Sequence, residues 1–71
     1  MDNIIVSRTE EFIPKIIGME MGIAKSLLDK HEIHLREIQK DGVGQMITLD
    51  WRANRINIKT KNGVIIAADV G

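Results

Sequence analysis

Arg55-Ile56-Asn57-Ile58-Lys59-Thr60-Lys61-Asn62-Gly63-Val64-Ile65-Ile66-Ala67-Ala68-Asp69-Val70 decides the fold of this chain. Ile56, Ile58 and Thr60 alternate with Asn57, Lys59 and Lys61, which is the period of a strand with one face buried. Asn62-Gly63 supplies two residues that tolerate positive φ, the requirement of a tight hairpin. Val64 to Val70, rich in β-branched residues, is then the returning strand.

The same reasoning extends toward the N-terminus. Ile33, Leu35 and Glu37 alternate with His34, Arg36 and Ile38, so a strand is expected over 33–38, with the pattern failing at its end. Lys40-Asp41-Gly42-Val43-Gly44 reads as a turn. Upstream, Ile17, Met21, Ala24 and Leu28 recur at helical spacing with Leu27 beside them, and Lys25, Ser26, Asp29 and Lys30 fall largely on the other side. The spacing predicts a helix from about Met19 to about Lys30, its start favoured by the charge of Glu20 against the helix dipole. Gly22 costs that helix about 1 kcal/mol relative to alanine, which implies either close packing or a weaker helix. Residues 1–11 are an N-terminal extension, flexible or contributing a short strand at Ile4-Ile5-Val6. Its polar run Ser7-Arg8-Thr9-Glu10-Glu11 reads as a solvated connector in which Thr9 could cap a short turn. Residues 12–71 form the domain. Its outline is one helix packed on a small sheet, a strand, an exposed loop over 45–54, a second strand, a hairpin and a third strand. A loop of that length in so small a domain is usually functional.

Composition limits the alternatives. The chain has 71 residues, so it is one domain at most and sits near the lower limit for a core without staples. It has no cysteine, which removes disulfides and thiolate metal sites. Its formal net charge is zero, which argues against a nucleic-acid or anionic-membrane partner bound by charge. No stretch approaches the ~18 apolar residues of a membrane helix. Met1-Asp2-Asn3-Ile4-Ile5-Val6 lacks the basic leader of a secretory signal, so the chain as written is expected in the cytoplasm, with export by another route left open.

The loop carries the chemistry. In extended chain Thr48 and Asp50 point one way and Leu49 the other. If the following strand brings Arg52 and Arg55 underneath, their rigid forks of donors can hold Thr48 and Asp50 from behind and present Leu49 outward. Alternation puts Trp51 on the side of Leu49, where it would make contacts rather than anchor the core.

Thr48-Leu49-Asp50-Trp51-Arg52-Ala53-Asn54-Arg55 resembles the reactive loop of the potato inhibitor I family of serine-protease inhibitors. Pro14, Gly18, Ala24 and Lys25 match the family's helix region, Val43-Gly44 precedes the loop at the family's distance, and the sequence closes on the family's Val70-Gly71. The resemblance covers roughly residues 12–71. It implies an α+β fold, a single helix packed on a small mixed β-sheet with a long exposed loop between two parallel strands. It further implies that Leu49 fills the specificity pocket of a subtilisin-like or chymotrypsin-like protease, that Leu49-Asp50 is the scissile bond, and that Gly71 joins Arg52 and Arg55 in supporting the loop. No cofactor is implied. A monomer is expected, although strand edges permit a dimer.

Other constellations are weaker. His31 and His34, with Glu32 and Glu37, fall short of the convergent ligand set of a metal site and read as surface residues at a helix end. Gly42-Val43-Gly44 lacks the third glycine and the following helix of a dinucleotide fingerprint. Trp51 with Arg52, Arg55, Lys59 and Lys61 could stack on single-stranded nucleic acid, but one tryptophan and zero net charge favour a solvated strand face. Serines 7 and 26 have no base near them in sequence, so an enzyme is not expected. The alternative function is a non-enzymatic interaction module that uses the same loop with Trp51 as its anchor.

Overall fold

The computed structural model describes residues 2–71. Its elements are α1 (Asp2–Glu10), α2 (Ile13–Ile16), α3 (Met21–Asp29), β1 (His34–Lys40), β2 (Val43–Gly44), β3 (Arg55–Lys61) and β4 (Val64–Val70). The four strands form one mixed sheet in the order β2-β1-β3-β4. β1 and β3 are parallel, whereas β1–β2 and β3–β4 are antiparallel. The fold is α+β, with α3 as the principal helix over one face of the sheet. Residues 45–54 contain no helix or strand.

Both hairpins follow from their turn residues. Asn62 and Gly63 have φ of 54° and 76°, and Asp41 and Gly42 have 50° and 82°. Positive φ at both central positions matches the right-handed twist of the flanking strands. The two turns are tied together, since the Asp41 carboxylate accepts the Asn62 N–H at 2.7 Å. The pattern failure at Ile38 is a register shift between Glu37 and Gln39 in the pairing of β1 with β3. One extra residue there reverses the faces that follow.

Ile16, Ala24, Leu28, Ile33, Ile56, Ile58 and Ile65 make the core, with Phe12, Leu27, Leu35 and Ala68 packed against it. Thr60, also buried, donates its hydroxyl to Glu37 Oε2 at 2.7 Å.

The helical part differs from the sequence expectation in three respects. Residues 2–10 are helical rather than a strand or a flexible extension. Ile5, Thr9 and Phe12 fall on one helical stripe, Thr9 is buried with its hydroxyl bonded to the Ile5 carbonyl at 2.7 Å, and α1 packs on β4. Tertiary contact there outweighs the weak β preference of Ile4-Ile5-Val6. A short α2 follows, with Pro14 in its first turn, where a missing N–H costs nothing. The principal helix begins at Met21 rather than Met19 because residues 18–20 lie along the edge of β4. Gly18 N–H donates to the Ile65 carbonyl at 2.8 Å and Ile65 N–H to the Met19 carbonyl at 2.9 Å. Ile17 is therefore extended and exposed, and Ile16 takes the core position. Glu20 precedes α3 in extended conformation and forms no side-chain cap. At Gly22 an added Cβ would meet only Glu20 Oε1, at 3.6 Å, so no close packing requires glycine there.

Candidate functional site

β1 and β3 position the loop from below. On the face of the sheet away from the core, Arg36 of β1 lies in register with Asn57 of β3, and Arg36 Nε donates to Asn57 Oδ1 at 2.7 Å. That bond fixes the guanidinium, whose Nη1 reaches the Thr48 carbonyl at 3.1 Å and the Thr48 hydroxyl oxygen at 3.2 Å. The hydroxyl in turn donates to Asp50 Oδ1.

Asp50 is the hub. Its Oδ2 accepts from Arg52 Nε at 3.1 Å and from Arg55 Nη1 at 3.3 Å, and its Oδ1 lies 3.7 Å from Arg36 Nη1. Three guanidinium groups thus surround one carboxylate. The hydrogen bond from Thr48 and then that from Arg52 hold the Asp50 carboxyl well below the usual carboxylate range; desolvation opposes them, and the hydrogen bond and charge of Arg55 add smaller lowering effects.

Arg55 carries the connection into the sheet. Its Nη2 donates to the Asp50 main-chain carbonyl and to the Gly71 carbonyl, both at 2.6 Å, and its Nε also reaches the Gly71 carbonyl at 3.1 Å. Backbone bonds close the ring: Arg52 N–H to the Gly71 carbonyl at 3.0 Å and Gly71 N–H to the Arg55 carbonyl at 2.9 Å. Gly71 is buried between two side chains. A Cβ placed on it would lie 2.9 Å from Asn57 Nδ2 and 3.4 Å from Trp51 Cδ1. The glycine lets the indole and the amide approach the backbone this closely.

Above this floor the apolar side chains stand free. Leu49 is fully exposed, at 101%, and so is Met46; Trp51 is 57% exposed, with one edge of its indole against Gly71. The arrangement offers an apolar knob on a braced segment. Among the described residues no group of three His, Asp or Glu side chains could hold a metal ion. His31 packs against Phe12 in a tilted pair, with ring centroids 4.7 Å apart and an interplanar angle of 47°. Lys59 and Lys61 are exposed on β3, whereas Arg52 and Arg55 are committed to Asp50.

Arg52 and Arg55 therefore both meet Asp50, but neither reaches Thr48. That role falls to Arg36, because the parallel pairing brings β1 beneath the incoming leg of the loop. Arg36 and Asn57 were not singled out in the sequence. Strand alternation already puts each on the face opposite the core isoleucines, and only the β1–β3 register shows that they meet.

The fold and site define a small α+β domain that presents a side-chain-braced loop. No protein-family model and no curated protein matches this chain.

Proposed function

We propose that the protein inhibits serine proteases as a substrate mimic, with Leu49 in the primary specificity pocket and Leu49-Asp50 at the catalytic serine. One observation carries this reading: Leu49 is fully exposed while its neighbours Thr48 and Asp50 are held from behind by Arg36, Arg52 and Arg55. The loop would pair with a protease cleft through its main chain, as an added strand does. A loop already held in place loses little freedom on binding, which favours affinity. The same bonds would keep the new ends together after a cut, so that religation competes with release. Leucine suits subtilisin-like and chymotrypsin-like enzymes and disfavours trypsin, whose pocket carries an aspartate. The resemblance of residues 48–55 to the potato inhibitor I family supports the same assignment.

The half-exposed Trp51 supports a second reading, a non-enzymatic interaction module anchored on the indole. Titration against subtilisin, chymotrypsin, elastase and trypsin, with the Leu49-Asp50 bond followed by mass spectrometry, tests both. Tight inhibition of the first two with the bond largely intact is the expected result, and Leu49→Lys should shift preference to trypsin. Rapid cleavage, or no inhibition by the native protein, would overturn the inhibitor reading. A partner lost by Trp51→Ala but retained by Leu49→Lys would establish the module.

A further inference from the structure

Three stretches of chain line one cleft of about 540 Å³: α1, the turn from α3 into β1, and residues 52–54 on the outgoing leg of the loop. That volume lies within the range of small-molecule sites. The walls are held in place before any ligand arrives. α1 packs on β4. The outgoing leg is fastened to the turn, since Asn54 Nδ2 donates to the Glu32 carbonyl at 3.3 Å and His34 N–H to the Asn54 carbonyl at 2.8 Å. Ile5, Phe12 and Ile33 give the cleft an apolar surface. Ile33 belongs to the core, Phe12 packs against it, and the tilted contact with His31 fixes the ring. The charged groups are Arg8 and Arg52 against one carboxylate, Glu32, so the lining is positive overall with His31 neutral. Arg52 is one of three guanidiniums around Asp50, which leaves its charge only partly compensated. Its Nε is bonded to Asp50, and among the described residues its terminal nitrogens have no partner and Arg8 forms no ion pair.

We propose that this cleft binds a small amphipathic carboxylate, its apolar body against Ile5, Phe12 and Ile33 and its charge paired with Arg8 and the free end of Arg52. An apolar surface beside uncompensated guanidiniums fits a ligand with one greasy part and one anionic part. A guanidinium fork matches the two oxygens of a carboxylate. Glu32 at the same cleft repels added negative charge, so a singly charged acid suits it better than a phosphate dianion. A preformed cleft spends little on ordering when it is filled. The site depends on α1, which lies outside the residues 12–71 that resemble the inhibitor family. It stands whether or not the loop inhibits a protease.

The test follows backbone amide NMR shifts of the full chain at neutral pH during titration with naphthylacetate. A parallel titration uses naphthylacetamide, which has the same apolar body and no charge. The acid should saturate the protein with a Kd of about 1 mM or below. The shifts should gather at the cleft, at Thr9, His31 and Ala53. The neutral amide should bind about tenfold more weakly, the order expected from losing one charge-assisted pair. Arg8→Gln, an exposed position on α1, should weaken the acid by about the same factor and leave the amide unchanged. No saturation by about 10 mM, or shifts centred away from the cleft, would overturn the site. Equal affinity for acid and amide would overturn the carboxylate, and so would an unchanged affinity of Arg8→Gln for the acid. The comparison of acid with amide is made on the native chain, so it decides the charge preference even where Arg8→Gln disturbs α1.

Discussion

Replacing Arg55 by lysine keeps the charge and removes the fork. The native guanidinium donates to the Gly71 carbonyl at 2.6 and 3.1 Å, to the Asp50 carbonyl at 2.6 Å and to Asp50 Oδ2 at 3.3 Å. An ammonium is a point donor on a flexible stem and cannot serve two carbonyls and a carboxylate in fixed directions. About two charge-assisted bonds are lost, each with a net value of about 1.5 kcal/mol. The Gly71 carbonyl keeps the Arg52 N–H at 3.0 Å, which limits the damage. The expected cost is thus about 2–3 kcal/mol, equivalent to a rise of roughly 30- to 150-fold in the population of released loop. Urea unfolding followed by Trp51 fluorescence measures the first quantity. Cleavage of Leu49-Asp50 by a limiting amount of subtilisin measures the second. Arg55→Lys should lower stability by that amount with an unchanged denaturant slope, and the bond should be cut faster by the same factor. A loss below about 0.5 kcal/mol together with an unchanged cleavage rate would show that Arg55 does not brace the loop.

Acid should release the loop through Asp50. Its carboxyl titrates below the usual range in the folded state, so at acid pH the unfolded chain binds the extra proton and stability rises with pH. The contribution is complete above the ordinary carboxylate value of about 4 and disappears as pH falls below it. Urea midpoints from pH 7 to pH 2 should show this loss in the native protein and less of it in Asp50→Asn; parallel curves would refute it. Asn57→Ala removes the 2.7 Å bond that fixes Arg36 and should cost about 1–2 kcal/mol, with the urea midpoint and faster subtilisin cleavage of Leu49-Asp50 as the check. Gly71→Ala should push Asn57 and Trp51 aside and shift the tryptophan emission, whereas an unchanged spectrum would mean the close approach is absent. Gly22→Ala should stabilise by about 0.5–1 kcal/mol, read as a raised melting temperature, because no packing contact opposes the methyl group.

What could be read from the sequence was set by local chemistry. Asn62-Gly63 can hardly be anything but a hairpin turn, and the alternation on either side fixes which residues of β3 face the core. The apolar stripe of α3 and the pairing of Asp50 with Arg52 and Arg55 also depend on spacings of a few residues. The start of the principal helix was misplaced because nothing local shows that residues 18–20 are held by the edge of β4. The N-terminal helix is not legible because the β-branched run Ile4-Ile5-Val6 favours a strand and residues 4–10 bury only Thr9, so no apolar stripe announces it; it is the contact with β4 that holds it. Arg36 and Asn57 are 21 positions apart. Each looks like an ordinary polar residue on a strand until the parallel register joins them.

The brace draws on Arg36 of β1, on Arg55 and Asn57 at the start of β3 and on Gly71 just beyond β4, so the loop has no stability of its own to spend. Slow exchange of the Arg52 amide, which is bonded to the Gly71 carbonyl, would report opening of the sheet rather than of a local turn, and loop and sheet would open as one cooperative unit. A peptide of residues 45–55 would retain Asp50, Arg52 and Arg55 yet lack Arg36, Asn57 and Gly71. In isolation it would behave as a flexible chain, and a protease would meet it as a substrate.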